Sequence, residues 1–417
     1  MHYELEQEEH DVYPDDPDFD INKARLVTTA PRICVRYECV PMRFIKHVYR
    51  IHTYAQDGRL FEGKTPVSAF LNSSYDGSFI AGLMELRYIQ SLPVERIINY
   101  FESHGFTLKK PTAHKLMEKA SSLFENLYKC IRQTALSDPY KAADETYYKI
   151  LVPEKNSKGK GFRKGYLWVV VGINTRMIYL LYDDGSRSER VILNELGSCK
   201  GIIQSDGYSP YRKLESDAYP HITRIPCLQH IKRKFIDCGE DDPDAKRIVE
   251  MINTLYQNEH KHKIGVDGWT VEQNLVHRKK YAPDILGEIK DVLDEIEERG
   301  DLLPKSELQE AITYLRNEWN AVVDIFNYGD TYLDNNIVER MNRYISLSRK
   351  NSLFFGSHKG AERGAILYTI ALTCRMHKVN LFEYLTDVIN RTAEWQPNTP
   401  IEKYRELLPD RWEKAND

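Results

Sequence analysis

The sequence predicts an α/β core set between helical regions, and three observations carry that expectation. First, 144–152, 166–173 and 177–182 are strand-length runs rich in β-branched and aromatic residues, the last two joined by Asn174-Thr175-Arg176. Second, the chain then alternates: a helix from Ser188 to Leu196, an apolar strand through Gly201-Ile202-Ile203-Gln204-Ser205, a short helix from Ser209, a strand at Ile222 to Cys227, and a basic helix from Gln229. Third, long stretches on either side show helical rather than strand periodicity. Three antiparallel strands followed by strand–helix alternation make an α/β sheet of the ribonuclease-H-like kind, mixed and flanked by helices.

Composition bounds the rest. At roughly 100 to 200 residues per domain, 417 residues predict two or three domains. Hydrophobic residues at 41% and charged residues at 29% exclude a disordered or fibrous chain. The longest apolar runs, Tyr166 to Ile173 and Met177 to Tyr182, fall short of the roughly 18 residues a membrane-spanning helix needs. The N-terminus lacks the basic and apolar segments of a secretory signal, so the expected location is cytoplasmic. Seven scattered cysteines suit reduced thiols. The net charge of −4 conceals an asymmetry: the first 20 residues hold nine acids and no Lys or Arg, so the remainder is net positive. From Arg340 to Lys378 eight Lys or Arg face one acid, Glu362, the imbalance a polyanion selects.

In chain order, 1–25 is an acidic leader that reads as disordered. Residues 26–65 read as a short-strand region, with two strands over Leu26 to Thr53. There Cys34, Cys39, His47 and His52 have two-Cys, two-His composition, but their spacing is wrong for a zinc finger, so zinc is not expected. Region 66–130 is helical. Pro93 opens one helix through Val94, Ile97, Ile98 and Phe101, ended by Gly105. Thr112 caps the next, whose stripe runs Leu116, Ala120, Leu123 and Leu127. With Lys109 and Lys110 at the entrance, the pair resembles a DNA-reading helix-turn-helix. The catalytic domain is expected over 131–240 and 331–364. A helical insertion fills 241–330, with the stripe Ile285, Ile289, Val292 and Ile296 closed by Gly300 and a further helix opened by Ser306. A polar helix follows from Asp334 to Ser348, and 365–417 is a helical tail with an apolar pair over 365–390.

No phosphate-cradling P-loop, strand-linked dinucleotide fingerprint or nucleophile elbow is present. Carboxylates do recur at informative places: Asp144 at the opening of the first strand, Asp206 at the end of a buried strand, and Glu339 on a later helix. A carboxylate after the buried Ile-Ile-Gln-Ser run costs several kcal/mol unless paired or holding a cation. If the strand ending at Asp206 packs beside the first, the two Asp side chains meet and a crossing helix can aim Glu339 at them. Three such carboxylates can hold two divalent cations roughly 4 Å apart for phosphodiester displacement. Structural acids at strand ends and other chemistry stay open at this point.

The words around these acids are recognisable. Ala143-Asp144-Glu145-Thr146, Gly165-Tyr166-Leu167-Trp168-Val169, Gln204-Ser205-Asp206-Gly207-Tyr208, Cys227-Leu228-Gln229-His230 and Asp334-Asn335-Asn336-Ile337-Val338-Glu339-Arg340 resemble the insertion sequence sixty-six family of bacterial DDE transposases. The match continues through Arg349-Lys350-Asn351, Phe354-Phe355-Gly356-Ser357 and Gly360-Ala361-Glu362-Arg363 to Leu407-Leu408-Pro409. The resemblance implies a ribonuclease-H-like core interrupted by a helical insertion, catalytic and metal-holding positions at Asp144, Asp206 and Glu339, and two Mg or Mn ions. It also implies element-end and target DNA as partners and a homo-oligomer on DNA. Members usually carry a Cys-rich zinc module at the N-terminus; this sequence has no paired C-x-x-C, so DNA recognition is expected from the 93–127 helix pair, or the frame is a shortened, inactive copy.

In the expected arrangement Asp144 serves both cations while Asp206 and Glu339 each complete one site. Glu145, next in its strand, faces the other way. Lys232, Arg233, Lys234, Arg343, Arg349 and Lys350 are the expected phosphate contacts, with a basic hairpin tip at Lys158, Lys160, Arg163 and Lys164 as a further one. Cys227 and His230 lack a second ligand pair, so His230 is expected to pack near the site. Gly356, Gly360 and Gly364 read as a loop turn more than as a phosphate nest. The competing readings are a DNA-binding remnant without catalysis and a stand-alone nuclease.

Overall fold

The computed structural model describes residues 42–48, 50, 52–56, 59–62, 68–70, 73–154, 161–393, 395–396 and 398–414. The acidic leader, residues 26–41, 49 and 51 of the Leu26 to Thr53 region with Cys34 and Cys39 among them, and Lys158 and Lys160 of the hairpin tip lie outside them. Residues 42–48, 50 and 52 of that region are described and are not in a strand, a correction to the strands expected there. Strands β1 (Thr53–Gln56) and β2 (Arg59–Glu62) pair antiparallel, at and beyond the end of the span where two strands were expected.

Four helices follow: α1 (Gly77–Met84), α2 (Val94–Ser103), α3 (Lys110–Leu123) and α4 (Glu125–Ser137). Helix α2 starts after Pro93 and is followed by Gly105 in the left-handed region (φ 83°), as the sequence implies. Two details differ. Thr112 lies inside α3, which is flanked by Lys109 without a side-chain cap, because Pro111 already suits the first turn. The stripe from Leu116 to Leu127 also spans two helices, since buried Phe124 (φ −89°, ψ 3°) breaks the helical path between α3 and α4.

The sheet has five strands in the order β5-β4-β3-β6-β7. These are β3 (Tyr140–Leu151), β4 (Phe162–Gly172), β5 (Ile178–Leu181), β6 (Gly201–Ser205) and β7 (Ile222–Pro226). The first three are antiparallel, and β6 and β7 add parallel to β3. Strand β3 begins four residues before Asp144, a correction to its placement at the strand's opening. Tyr140 to Ala142 are zipped to β6, while buried Lys141 donates to the carbonyls of Asp138 and Lys200. Trp168, Val169, Val170 and Val171 of β4 are fully buried, which is why that run reads as continuous apolar sequence.

Helices α5 (Glu189–Leu196), α6 (Ser209–Arg212) and α7 (Leu228–Asp237) complete the alternation. Between α7 and Glu339 come α8 (Pro243–Glu259), α9 (Val271–Arg299) and α10 (Glu307–Ile325). Gly300 closes α9 in the left-handed region (φ 68°), and the Ser306 side chain caps α10 by accepting from the Gln309 N–H. Helix α10 packs on α7 and β7, pinned by fully buried Arg224 of β7 pairing with Glu318 of α10. Helix α11 (Asn336–Asn351) lies on β3 and β4. Helix α12 (His358–Met376) packs on β5, and α13 (Leu381–Thr392) and α14 (Ile401–Glu406) follow. Gly360 and Gly364 belong to α12 and form neither a nest nor a turn: a Cβ on Gly364 would stand 2.6 Å from the Phe355 ring, so the glycine makes room for that side chain. Among the described residues no helix is long and apolar enough to cross a membrane.

Candidate active site

Sheet register brings the first two carboxylates together. Strands β3 and β6 are parallel with Ala142 opposite Gln204, so Asp144 and Asp206, each two residues further on, leave neighbouring strands at one level and on one side. Burial, then the charges of Glu145 and Asp206, push the Asp144 carboxyl up to about 8. Its oxygens accept from the Glu145 N–H (2.8 Å) and from Asn342 Nδ2 (2.6 Å). Asp206 accepts from the Tyr208 N–H (3.1 Å), and its carbonyl accepts from Arg224 (3.1 Å).

A hydrogen-bonded strap sets the third carboxylate. Gln204 donates to the carbonyls of Pro226 (3.1 Å) and Tyr332 (2.8 Å) and accepts from Tyr140 Oη (2.6 Å), which in turn accepts from the Tyr332 N–H (3.0 Å). Asn335 Nδ2 donates to the Ala143 carbonyl (2.9 Å), and the Asn335 N–H points at Cys227 Sγ (3.2 Å). Helix α11 therefore starts over the ends of β3, β6 and β7, with Glu339 in its first turn, where a helix favours negative charge.

Glu339 leans toward α7. Its Oε1 is 3.6 Å from His230 Nδ1 and its Oε2 is 3.9 Å from Arg233. The liganding atoms of Cys227, His230 and Glu339 lie within 4.8 Å of one another, a group that does not include Asp144 or Asp206. Burial pushes the Cys227 thiol up to about 12, so the sulfur serves as a neutral acceptor for Asn335.

Four buried atoms around this point have no hydrogen-bond partner: Glu339 Oε1, His230 Nδ1, Asn335 Oδ1 and Asn342 Oδ1. Buried polar atoms are ordinarily satisfied. The orphaned oxygens of Glu339, Asn335 and Asn342, with an Asp144 carboxyl that burial and then its neighbours raise to about 8, are a donor set that fits a hard, oxygen-seeking cation.

Glu145 stands on the other side of β3 as expected, but it is not peripheral. Its side chain is 5% exposed, held by Arg187 (2.5 Å) and Tyr211 Oη (3.3 Å), and burial raises its carboxyl against the pull of that arginine. Arg187, Asp206, His230, Arg233, Lys234 and Tyr314 share a 250 Å³ cavity lined by both basic side chains and carboxylates. A second cavity, of 350 Å³, lies beyond Glu339 against Tyr256, Tyr332, Asp334 and Arg340.

The other expected contacts divide by place. Arg233 and Lys234 are exposed on α7 and Lys232 is half-buried, its ammonium 5.9 Å from the Tyr256 ring centre. Arg343 is exposed one turn past Glu339, and Lys350 is exposed at the far end of α11. Arg349 is instead half-buried, stacked on Tyr147 (3.9 Å) and donating to its carbonyl. Lys109 and Lys110 are exposed at the start of α3, where Lys110 pairs with Glu95 (2.5 Å). Sequence reasoning missed Asn342, Asn335, Gln204 and Arg187. Only Asn342 left a signal, three residues past Glu339 on the same helix face.

A mixed sheet with two carboxylates in register, one within β3 and one just past β6, a third acid on a crossing helix and exposed Arg233 and Lys234 nearby define the class: an α/β protein with acidic side chains gathered where a helix crosses the sheet. The chain belongs to the Transposase IS66 family, which it matches over residues 72–363. Similar proteins from Sinorhizobium fredii are the uncharacterized y4jD (26% identical over 80% of this chain and 65% of its own length) and y4hP (24% over 95% and 76%). The chain thus spans about two thirds of the length of the first relative. Among solved structures, a Drosophila P element transposase strand transfer complex aligns over 72% of this chain and 93% of its own at 13% identity, with a TM-score of 0.37. That likeness is too loose to transfer any geometry.

Proposed function

We propose that this chain is a DDE transposase that cleaves DNA at the ends of an insertion sequence and joins the freed 3′ end to target DNA. The observation that carries the reading is the in-register pair Asp144 and Asp206, the first carboxyl raised to about 8 by burial and by Glu145 and Asp206, together with a Glu339 Oε1 that has no hydrogen-bond partner. The sheet is then the ribonuclease-H-like core, over 131–240 and 331–364. Helices α8 to α10 are its insertion, 66–130 is the helical DNA-binding region, and 365–417 is the tail.

Two divalent cations, Mg or Mn, held by Asp144, Asp206 and Glu339 would supply the Lewis acidity that activates the attacking oxygen and steadies the leaving one. The remaining work belongs to side chains. Asn342 fixes the rotamer of Asp144, and Asn335 fixes the start of α11, so the carboxylates meet the scissile phosphate without reorganising. Arg233 and Lys234 line the wall where phosphate charge is neutralised. Water attacks first, and the freed 3′ hydroxyl attacks next at the same centre, so positioning supplies much of the barrier reduction. Lys109 and Lys110 at the mouth of α3 contact element ends, Arg343 and Lys350 continue the phosphate track along α11, and a homo-oligomer holds paired ends.

The test is magnesium-dependent cleavage and joining of labelled DNA carrying the inverted repeats that flank this reading frame, with wild type set against Glu339→Gln. The expected result is joining that vanishes in the variant while DNA binding persists. Wild type that binds these ends yet neither cuts nor joins would sink the reading and leave a DNA-binding remnant in its place.

A further inference from the structure

The loop after α11 displays an apolar pair with no structural use. Leu353 is 60% exposed and Phe354 is 48% exposed, although burying such side chains would stabilise the protein by about 1.5–3 kcal/mol each. Their neighbour Phe355 is 7% exposed and ties the loop down. Its N–H donates to the Lys149 carbonyl (2.8 Å) and its own carbonyl accepts from the Leu151 N–H (2.9 Å), so it adds a short bridge to the edge of β3. The Phe355 ring packs 4.3 Å from Tyr148, in the space Gly364 leaves open, and Tyr148 Oη donates to the Ser352 carbonyl. Leu353 and Phe354 thus stand on a stiff knuckle.

The surroundings are cationic. The Arg349 guanidinium and the Lys164 ammonium both lie over the Tyr147 ring, at 3.9 and 4.9 Å. Lys350 and Lys359 are exposed on either side of the knuckle. The nearby acids are few: Glu154 is paired with Arg163 (3.2 Å), Asp184 with His358 (2.9 Å), and Glu362 is exposed on α12. Protein–protein interfaces are depleted of lysine at their cores, whereas an apolar wedge among cations is how proteins unstack a duplex from its minor groove.

We infer that Leu353 and Phe354 form a wedge that enters double-stranded DNA and unstacks one base step. The inference rests on the DNA-processing reading of Asp144, Asp206 and Glu339 and adds a deformation of the duplex to it. Two paths fix the place. Along α11, the twelve residues from Glu339 to Asn351 span about 18 Å at about 1.5 Å each. Along β3, the six residues from Asp144 to Ile150, opposite Phe355, span about 20 Å at about 3.3 Å each. At about 3.4 Å per base pair, the wedge enters about six base pairs from the phosphate in the acidic centre.

The test uses the full chain, with duplexes carrying 2-aminopurine at successive steps. One set bears the inverted repeats and the other is of unrelated sequence, so the two arms tell element end from target. Wild type is expected to raise the fluorescence at one step about six base pairs from the cut, in one arm or both. The double variant Leu353→Ala, Phe354→Ala is expected to lose that signal, to bind about tenfold more weakly, and to keep its salt dependence, since no phosphate contact is removed. A mismatch placed at that step should restore its binding. The inference is overturned if wild type binds with every step stacked, if it binds no duplex, or if the double variant keeps the signal and loses only self-association. Unstacking without cleavage would uphold the wedge and remove the transposase reading, so the two fail separately.

Discussion

Replacing Asp144 by Asn tests the acidic centre through a proton rather than through turnover. Without a cation, burial, Glu145 and Asp206 hold this carboxyl at about 8, against an ordinary value of 3.8. A divalent cation needs the ionised form, so below that pH binding releases a proton. The ionised fraction is about 1% at pH 6, about 10% at pH 7 and about half at pH 8. Apparent affinity should therefore climb about tenfold from pH 6 to pH 7, about fivefold from pH 7 to pH 8, and less than about twofold beyond. Stability of the cation-free chain moves the other way. The folded state keeps a proton that the unfolded chain releases above about pH 4, so stability declines as pH rises to about 8. Asp144→Asn preserves shape and still accepts from Asn342, but it cannot ionise. The assay is Mn titration by electron paramagnetic resonance across this range, with thermal melts in chelator. Wild type should show the steep affinity profile, and Asp144→Asn should bind weakly and flatly while its melts decline less with pH, the remainder belonging to other raised carboxyls such as Glu145. A flat wild-type profile, or a variant that binds like wild type, would refute the assignment of Asp144 as a ligand held protonated by its neighbours.

Two further outcomes follow from the same geometry. Arg224→Met should cost about 3–5 kcal/mol in urea unfolding, because it leaves Glu318, 1% exposed, facing only Arg212 at 3.9 Å, and adding Glu318→Leu should recover much of that loss; no loss in the single variant would mean the pair is not buried. Lys234→Ala and Lys350→Ala should each lower the slope of log affinity against log salt by about 0.9 in DNA-binding titrations, and an unchanged slope would remove that lysine from the phosphate track.

Strand periodicity made most of the sheet legible, because β4 is buried continuously from Leu167 to Gly172 and β6 is a short apolar run bounded by glycine and aspartate. What period could not supply was where β3 starts. Its opening Tyr140, Lys141 and Ala142 look unlike a strand, since Lys141 is held inside by the carbonyl of Asp138, three residues before it, and that of distant Lys200. The helical stripe from Leu116 to Leu127 hid a break, because Phe124 is apolar and sits in phase while its backbone turns away.

Asp206 could be named from its place after a buried strand and Glu339 from its helix, while Asp144, which lies inside β3 rather than at its opening, was legible mainly through the family words around it; the support of all three was not legible. Gln204 and Tyr140 act through a strap that joins 140, 204, 226 and 332, and Asn335 ties 335 to 143 and 227, positions that no local spacing relates. The Gly356, Gly360 and Gly364 series shows the opposite failure, in which a conspicuous spacing misleads. Gly364 is small because Phe355 needs its volume, and Phe355 needs that volume to hold Leu353 and Phe354 in water. The glycine thus serves packing and not phosphate, and the residue of this loop whose role can be tested is the exposed Phe354.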